Sequence, residues 1–231
     1  MSSLARGVFI VIEGLDRSGK STQVARLVDR IQSATTDASS SGSTPRAVPL
    51  KFPDRTTAIG KMIDAYLRSE SDLDDHAIHL LFSANRWELA PKIEALLASG
   101  TTIVADRYAF SGIAFSAQKS PHLNLTFEWC KAPEIGLPAP DLTLFLDVKP
   151  EIAMQRGGYG EERYEKQEVQ TRVRQVFERI GEEIGADRWV VIDAGQDRDK
   201  VGDDIWNRVV PVLRDTHKPV TRLWHGQEEL R

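Results

Sequence analysis

Five short runs of the chain are almost continuously apolar or β-branched: "VFIVIE" (8–13), "RAVPLKF" (46–52), "TTIVAD" (101–106), "DLTLFLD" (141–147) and "RWVVID" (188–193). Runs without polar alternation fit strands covered on both faces, which predicts a parallel sheet with helices packed on either side. Between them the apolar spacing predicts helices over about 20–32, 57–68, 73–98, 108–117, 123–131, 150–156, 163–185 and 198–215. The fold class is therefore α/β, a five-stranded parallel sheet flanked by helices. The stretch "ASSSGSTP", Ala38 to Pro45, offers no apolar anchor and reads as a mobile surface connection. The tail after Thr216 is polar, with Pro219 and one Trp224, and reads as partly disordered or packed on the surface.

The first run leads into "GLDRSGKST" (14–22), which fits G-x-x-x-x-G-K-[ST] with Gly14, Gly19, Lys20 and Ser21 at the fixed places. Glycines permit the tight turn and the close approach of backbone N–H groups to phosphate oxygens. The lysine reaches the β and γ phosphates, the hydroxyl serves Mg²⁺, and the following helix adds its N-terminal dipole. A strand ahead of the motif and the spacing Val24, Leu27, Val28, Ile31 behind it supply the strand–loop–helix context that the pattern requires. Two charged residues, Asp16 and Arg17, stand at variable positions inside the loop. No N-K pair occurs, so a guanine-reading switch is the weaker reading.

Charge bears on the choice of ligand. With 30 basic and 34 acidic residues, a formal charge of −4, the chain has no broad field to hold a nucleic-acid backbone or an anionic membrane, so anions must bind at a local site. Candidates for that site follow the strands: Arg55 in "KFPDRTT", Asp106, Arg107 and Tyr108 in "DRY", and Phe82 with Arg86 in "LLFSANRWE". Positions past the carboxyl ends of parallel strands face the ligand crevice, and a guanidinium there matches phosphate. Each arginine taken alone fits a surface ion pair equally well. Phe82 and Arg86, four apart on one helix face, could stack on a base and donate to its carbonyl, or be core and solvated neighbour.

In chain order, "FIVIEGLDRSGKSTQ", "FPDRTTAIGKMI", "HLLFSANRWE", "DRYAFSGIAFS", "GLPAPDLTLFLD" and "RGGYGEERYE" resemble the eukaryotic type of thymidylate kinase, from about Val8 to about Ile192. The resemblance implies a P-loop nucleoside monophosphate kinase fold that transfers the γ phosphoryl of ATP to dTMP with Mg²⁺. It implies that Gly14, Ser18, Gly19, Lys20, Ser21 and Thr22 hold ATP, and that Arg17 reaches the transferred group. Asp16 would accept from the 3′-hydroxyl of the acceptor, Arg55 and Arg107 would clamp its phosphate, and Asp106 would lie with Ser21 near the metal. Phe82 would stack on thymine and Arg86 would bond its O4, while Ser111, Gly112 and Phe115 would line the nucleoside pocket. Tyr164 would close over the deoxyribose, and "RGGYGEERYE", with Arg156 and Arg163, would form a lid over ATP. A homodimer contact through "AIHLLFSANRWELA" is implied in the same way, although the amphipathic pattern itself allows domain core equally.

The organisation expected is one kinase domain: a core over about 7–215, the Ser/Gly connection at about 34–45, a lid at about 156–165 and the polar tail at about 217–231. Other nucleoside or nucleotide kinases share the phosphate loop, but a deoxynucleoside kinase has no use for Arg55 and Arg107 around an acceptor phosphate. A nucleotide-regulated binding module is the rival from another class, and would hydrolyse ATP slowly whether or not dTMP is present. His76 and His79 beside Asp72, Asp74 and Asp75 read as helix packing and a favourable dipole start rather than a metal site. The single cysteine, Cys130, excludes internal disulfides and reads as a packed hydrophobe in a reducing compartment. A cytoplasmic location is expected, with the nucleus open as well.

Overall fold

The computed structural model describes residues 6–36, 47–119, 125–154, 163–164, 166–215 and 218–225. Its strands are β1 (Phe9–Gly14), β2 (Ala47–Lys51), β3 (Thr102–Asp106), β4 (Leu142–Asp147) and β5 (Trp189–Asp193). All pairings are parallel and the order is β2-β3-β1-β4-β5, so each expected strand is present within a residue or so of its apolar run. The helices are α1 (Lys20–Thr36), α2 (Ala58–Leu67), α3 (Asp75–Trp87), α4 (Ala90–Ala98), α5 (Ala109–Ala117), α6 (Phe127–Lys131), α7 (Pro150–Met154), α8 (Gln167–Ile184) and α9 (Arg198–Arg214).

Burial explains the uninterrupted apolar runs. Within β1, Phe9 and Val11 face one core with α4, α5 and α8, while Ile10 and Ile12 face the other with α1 and α9, and every residue of the strand is buried. Because β1 has β3 on one side and β4 on the other, the chain reverses its winding direction beside β1. The crevice at that switch point opens at the carboxyl ends of β1, β2 and β3, where the phosphate loop, "PDR" and "DRY" emerge.

The structure corrects several boundaries. The helix expected over 73–98 is two, because Pro91 lacks the N–H and its ring would clash with the carbonyl of Trp87, so α3 stops there and α4 starts with the proline in its first turn. The helix placed at 123–131 begins at Phe127, where the side chain of Thr126 caps it by accepting from Trp129 N at 3.1 Å. The helix placed at 163–185 begins at Gln167, leaving Tyr164 outside it. Of the tail, the described segment 218–225 is packed against the body of the fold. Its backbone bonds the 136–139 segment (Gly136 N to Leu223 O, Leu223 N to Leu137 O and Ala139 N to Thr221 O, each 2.9 Å), burying Leu223 and Trp224 in the core. Of the Ser/Gly connection expected at about 34–45, residues 34–36 instead continue α1, and the remainder, like the lid except for residues 163 and 164, lies outside the described residues. No helix among the described residues is long and apolar enough to cross a membrane.

Candidate active site

The phosphate loop is shaped by its glycines. Gly14 has φ +152°, and a Cβ there would stand 2.7 Å from both Leu146 O and Ser18 Oγ, so only glycine allows β1 to turn away against β4. Gly19 follows with φ +94°. Lys20, buried at the start of α1, donates to Leu15 O at 2.5 Å and Ser18 Oγ at 3.3 Å. Burial first, and then the charge of Arg107, lower its ammonium to about 7. Phosphate oxygens brought against it would favour the charged form. Ser21 donates to Asp106 Oδ2 at 2.5 Å, and this carboxylate, at the tip of β3, is buried.

A cavity of about 310 Å³ opens beside this loop. Among the described residues it is lined by Arg17, Lys20, Lys51, Arg55, Arg86 and Arg107 against two carboxylates, Asp16 and Asp106. In a chain of net charge −4 this is a locally cationic hollow, suited to phosphate. Of the residues singled out in the sequence, Ser21, Phe82, Ser111, Gly112, Phe115 and Tyr164 also line it. Gly14, Ser18 and Gly19 belong to the loop behind it, and Thr22 lies exposed on the first turn of α1, away from the lining. Arg156 lies outside the described residues.

Arg107 and Arg55 are both held by neighbouring side chains. Arg107 adopts φ +68° and reaches back to donate to Gly14 O at 3.1 Å and Ser111 Oγ at 2.9 Å, with its other terminal nitrogen on Asp16 Oδ1. Its guanidinium also lies 5.0 Å from the ring centroid of Phe115. Arg55 pairs with Asp64 at 2.7 Å, and its loop is pinned by Asn85, which accepts from Asp54 N at 2.8 Å and donates to Asp54 O at 3.2 Å. The carboxylate of Asp16, a costly neighbour for phosphate, is satisfied by Arg107 and by Gln170 Nε2 at 2.8 Å. Gln170 Oε1 in turn accepts from Asp16 N at 3.0 Å.

At the far end of the cavity Arg86 is buried and forms a two-pronged contact with Glu134, Nε to Oε2 at 2.7 Å and Nη2 to Oε1. Half-buried Phe82 stands one helical turn before it. Tyr164 packs on Phe115 at 5.6 Å between centroids, with its hydroxyl 3.3 Å from that of Tyr66, and burial raises its ionisation well above the ordinary value. Of the expected lid arginines, Arg163 is the one within the described residues. It lies 4.2 Å over the Tyr66 ring and binds Asp72 at 2.6 Å, which ties it to α2 and the start of α3.

Four supporting residues escaped the sequence reading. Glu13, fully buried, accepts from Tyr108 N at 2.9 Å, Ser111 N at 3.1 Å and Ser111 Oγ at 2.5 Å, so it fixes the "DRY" turn; burial raises its carboxyl. Its position immediately before the phosphate loop, in an otherwise apolar strand, was the available signal. Asn85, Glu134 and Gln170 gave none, because their partners are remote in sequence. His79 is packed in the core, its ring nitrogens 2.8 Å from Ser116 Oγ and 3.0 Å from Cys130 O. Burial, then the charge of Arg86, lowers it to about 4, and burial pushes the Cys130 thiol up to about 12.

A phosphate loop facing a second cationic pocket across the switch point of a parallel sheet defines a phosphotransferase built on the P-loop nucleoside monophosphate kinase fold. The family model described as thymidylate kinase matches residues 12–205. The thymidylate kinase of Schizosaccharomyces pombe is 51% identical over 207 residues, 89% of this chain and 92% of that protein. That of Homo sapiens is 43% identical over 220 residues, 95% of this chain and 98% of that protein. The solved thymidylate kinase of Candida albicans superposes with a TM-score of 0.80 at 37% identity, covering 94% of this chain and 98% of that one. The chain belongs to the thymidylate kinase family.

Proposed function

We propose that the chain transfers the γ phosphoryl group of ATP to the 5′-phosphate of dTMP, giving dTDP and ADP. The observation that carries this reading is the pairing of the phosphate loop with Arg55, Arg86 and Arg107 in one cavity of about 310 Å³, beside an aromatic platform at Phe82. The ATP phosphates would lie on the loop backbone and Lys20. Arg55 and Arg107 would take the acceptor phosphate, Phe82 the thymine face and Arg86 its O4. Asp16, already held by Gln170, would accept from the 3′-hydroxyl, and Tyr164 with Ser111, Gly112 and Phe115 would enclose the sugar and base.

Two anions meeting head to head repel, and charge spreads over the transferred oxygens as the bond to the leaving phosphate loosens. Arg17 would answer both needs because it stands in the loop itself, half-buried and lining the cavity. The hydroxyl of Ser21 and the carboxylate of Asp106 put two hard oxygen donors side by side, a donor set that fits Mg²⁺ completed by phosphate oxygens and water. The metal would be held there and would neutralise phosphate charge when bound.

Homodimerisation is part of the proposal, through α3, whose Leu80 and Trp87 lie on one face and are 48% and 41% exposed. A cytoplasmic location is proposed from the single, buried cysteine. The test is a coupled assay with ATP, Mg²⁺ and separately dTMP, thymidine, dUMP, dCMP and dAMP. The expected result is turnover of dTMP with none of thymidine. Thymidine as the better acceptor would point to a nucleoside kinase, and ATP hydrolysis indifferent to dTMP to a binding module.

A further inference from the structure

Arg86, which lines the cavity, is bonded to a buried carboxylate, Glu134, that does not line it. We propose that Glu134 is the positioning residue that turns Arg86 from an anion binder into a reader of the acceptor's base carbonyl; the inference rests on the dTMP reading above.

Three features carry it. Two of the five N–H donors of Arg86 are taken by Glu134 in a fork-to-fork contact, which fixes the guanidinium plane and leaves its remaining donors for the cavity. Glu134, with no exposed surface, also offsets the charge. Arg55 and Arg107 also have carboxylate partners, Asp64 and Asp16, but those pairs are partly open to solvent and to the cavity, whereas the Arg86–Glu134 pair is buried, so Arg86 presents neutralised donors suited to an uncharged oxygen. Finally, the turn that carries Glu134 is itself held in place. The carbonyl of the preceding Pro133 accepts from Ser83 Oγ at 3.0 Å and from Trp87 Nε1 at 2.7 Å, so α3 grips the turn on both flanks of Arg86. Behind it, the C-terminal strap bonds Gly136, Leu137 and Ala139 at 2.9 Å each. Opposite, Gly112 leaves room for the guanidinium and for nothing larger, since a Cβ there would stand 2.4 Å from Arg86 Nη2.

A fork that can only donate favours the thymine O4, an acceptor, over the N4 amino group of cytosine, a donor at the same place. The readout is therefore the ratio of kcat/KM for dTMP to that for dCMP, with ATP saturating. For Glu134→Gln the expected result is a ratio at least tenfold below wild type, with the KM for ATP within twofold. Arg86→Met should lower the ratio similarly, and the double variant should fall no further than Arg86→Met alone, the non-additivity of two residues acting as one. If Glu134→Gln does not fold, Glu134→Asp keeps the charge but withdraws the carboxylate by one methylene, and the same fall is expected. An unchanged ratio in a folded Glu134 variant, with Arg86→Met still lowering it, overturns the role of Glu134. An unchanged ratio in Arg86→Met overturns base reading by Arg86, and the proposal with it. A wild-type enzyme that ignores dTMP removes the functional reading instead.

Discussion

Gly112→Ala sets two effects of opposite sign against each other. In the interior of a helix such as α5, glycine to alanine ordinarily stabilises by about 0.5–1 kcal/mol. Here the new methyl carbon would lie 2.4 Å from Arg86 Nη2, 2.8 Å from Cζ and 2.9 Å from Nη1. A free arginine tip would swing aside at little cost. This one is 3% exposed and forked onto Glu134, which is 0% exposed, so displacement weakens a buried ion pair. Leaving one member of such a pair without its partner costs about 3–5 kcal/mol. Partial loss of the pair, less the helix gain, leaves a net destabilisation of about 2–4 kcal/mol. For a chain of 231 residues that corresponds to a fall in Tm of about 5–15 °C. Calorimetry and steady-state kinetics on one preparation give both readouts. The KM for dTMP should rise at least about tenfold, equivalent to about 1.4 kcal/mol, with that for ATP nearly constant. A variant that melts at or above wild type with an unchanged KM for dTMP would refute the argument, because Arg86 would then not be held where the methyl must go.

Other perturbations address the remaining parts. Arg17→Ala should lower kcat by at least about a hundredfold with melting unchanged, as expected on losing a transition-state charge partner; near wild-type turnover removes Arg17 from the mechanism. Phe82→Ala should raise the KM for dTMP more than that for ATP, whereas equal effects assign Phe82 to the core. His79, lowered to about 4 by burial, then by the charge of Arg86 and to a lesser extent that of Lys119, stays neutral in the native state while the unfolded chain takes up its proton near 6.5. Stability should therefore drop as pH falls from about 6.5 to about 4, by up to about 3 kcal/mol, and His79→Gln should flatten that part of the profile in urea titrations.

The parts of this fold that were legible in the sequence are those whose cause is local. A strand covered on both faces is apolar along most of its length, so β1, β3 and β4 announce themselves, and the phosphate loop is recognisable because a tight backbone turn against β4 excludes a side chain at Gly14. Arg55 and Arg107 were found because they follow strands. The break between α3 and α4 was also local, at Pro91, and the long apolar stripe simply outweighed it. By contrast, the partners that give the site its geometry come from distant elements. Asp16 is held by Gln170 from α8, and Arg86 by Glu134 from a short 3₁₀ turn. A buried carboxylate in "APE" looks no different in sequence from a solvated one. The strap was misjudged for a related reason: three backbone hydrogen bonds and two buried side chains hold a segment whose composition is polar.

The central claim is that donor and acceptor phosphates meet in one cleft with Arg17 between them. A crystal structure with ADP, Mg²⁺ and dTMP bound tests it most directly. The account expects the dTMP phosphate on Arg55 and Arg107, the ADP β-phosphate on the loop around Lys20, and the Arg17 guanidinium directed at the gap. A monophosphate lodged elsewhere, or Arg17 turned to solvent with both nucleotides in place, would contradict it.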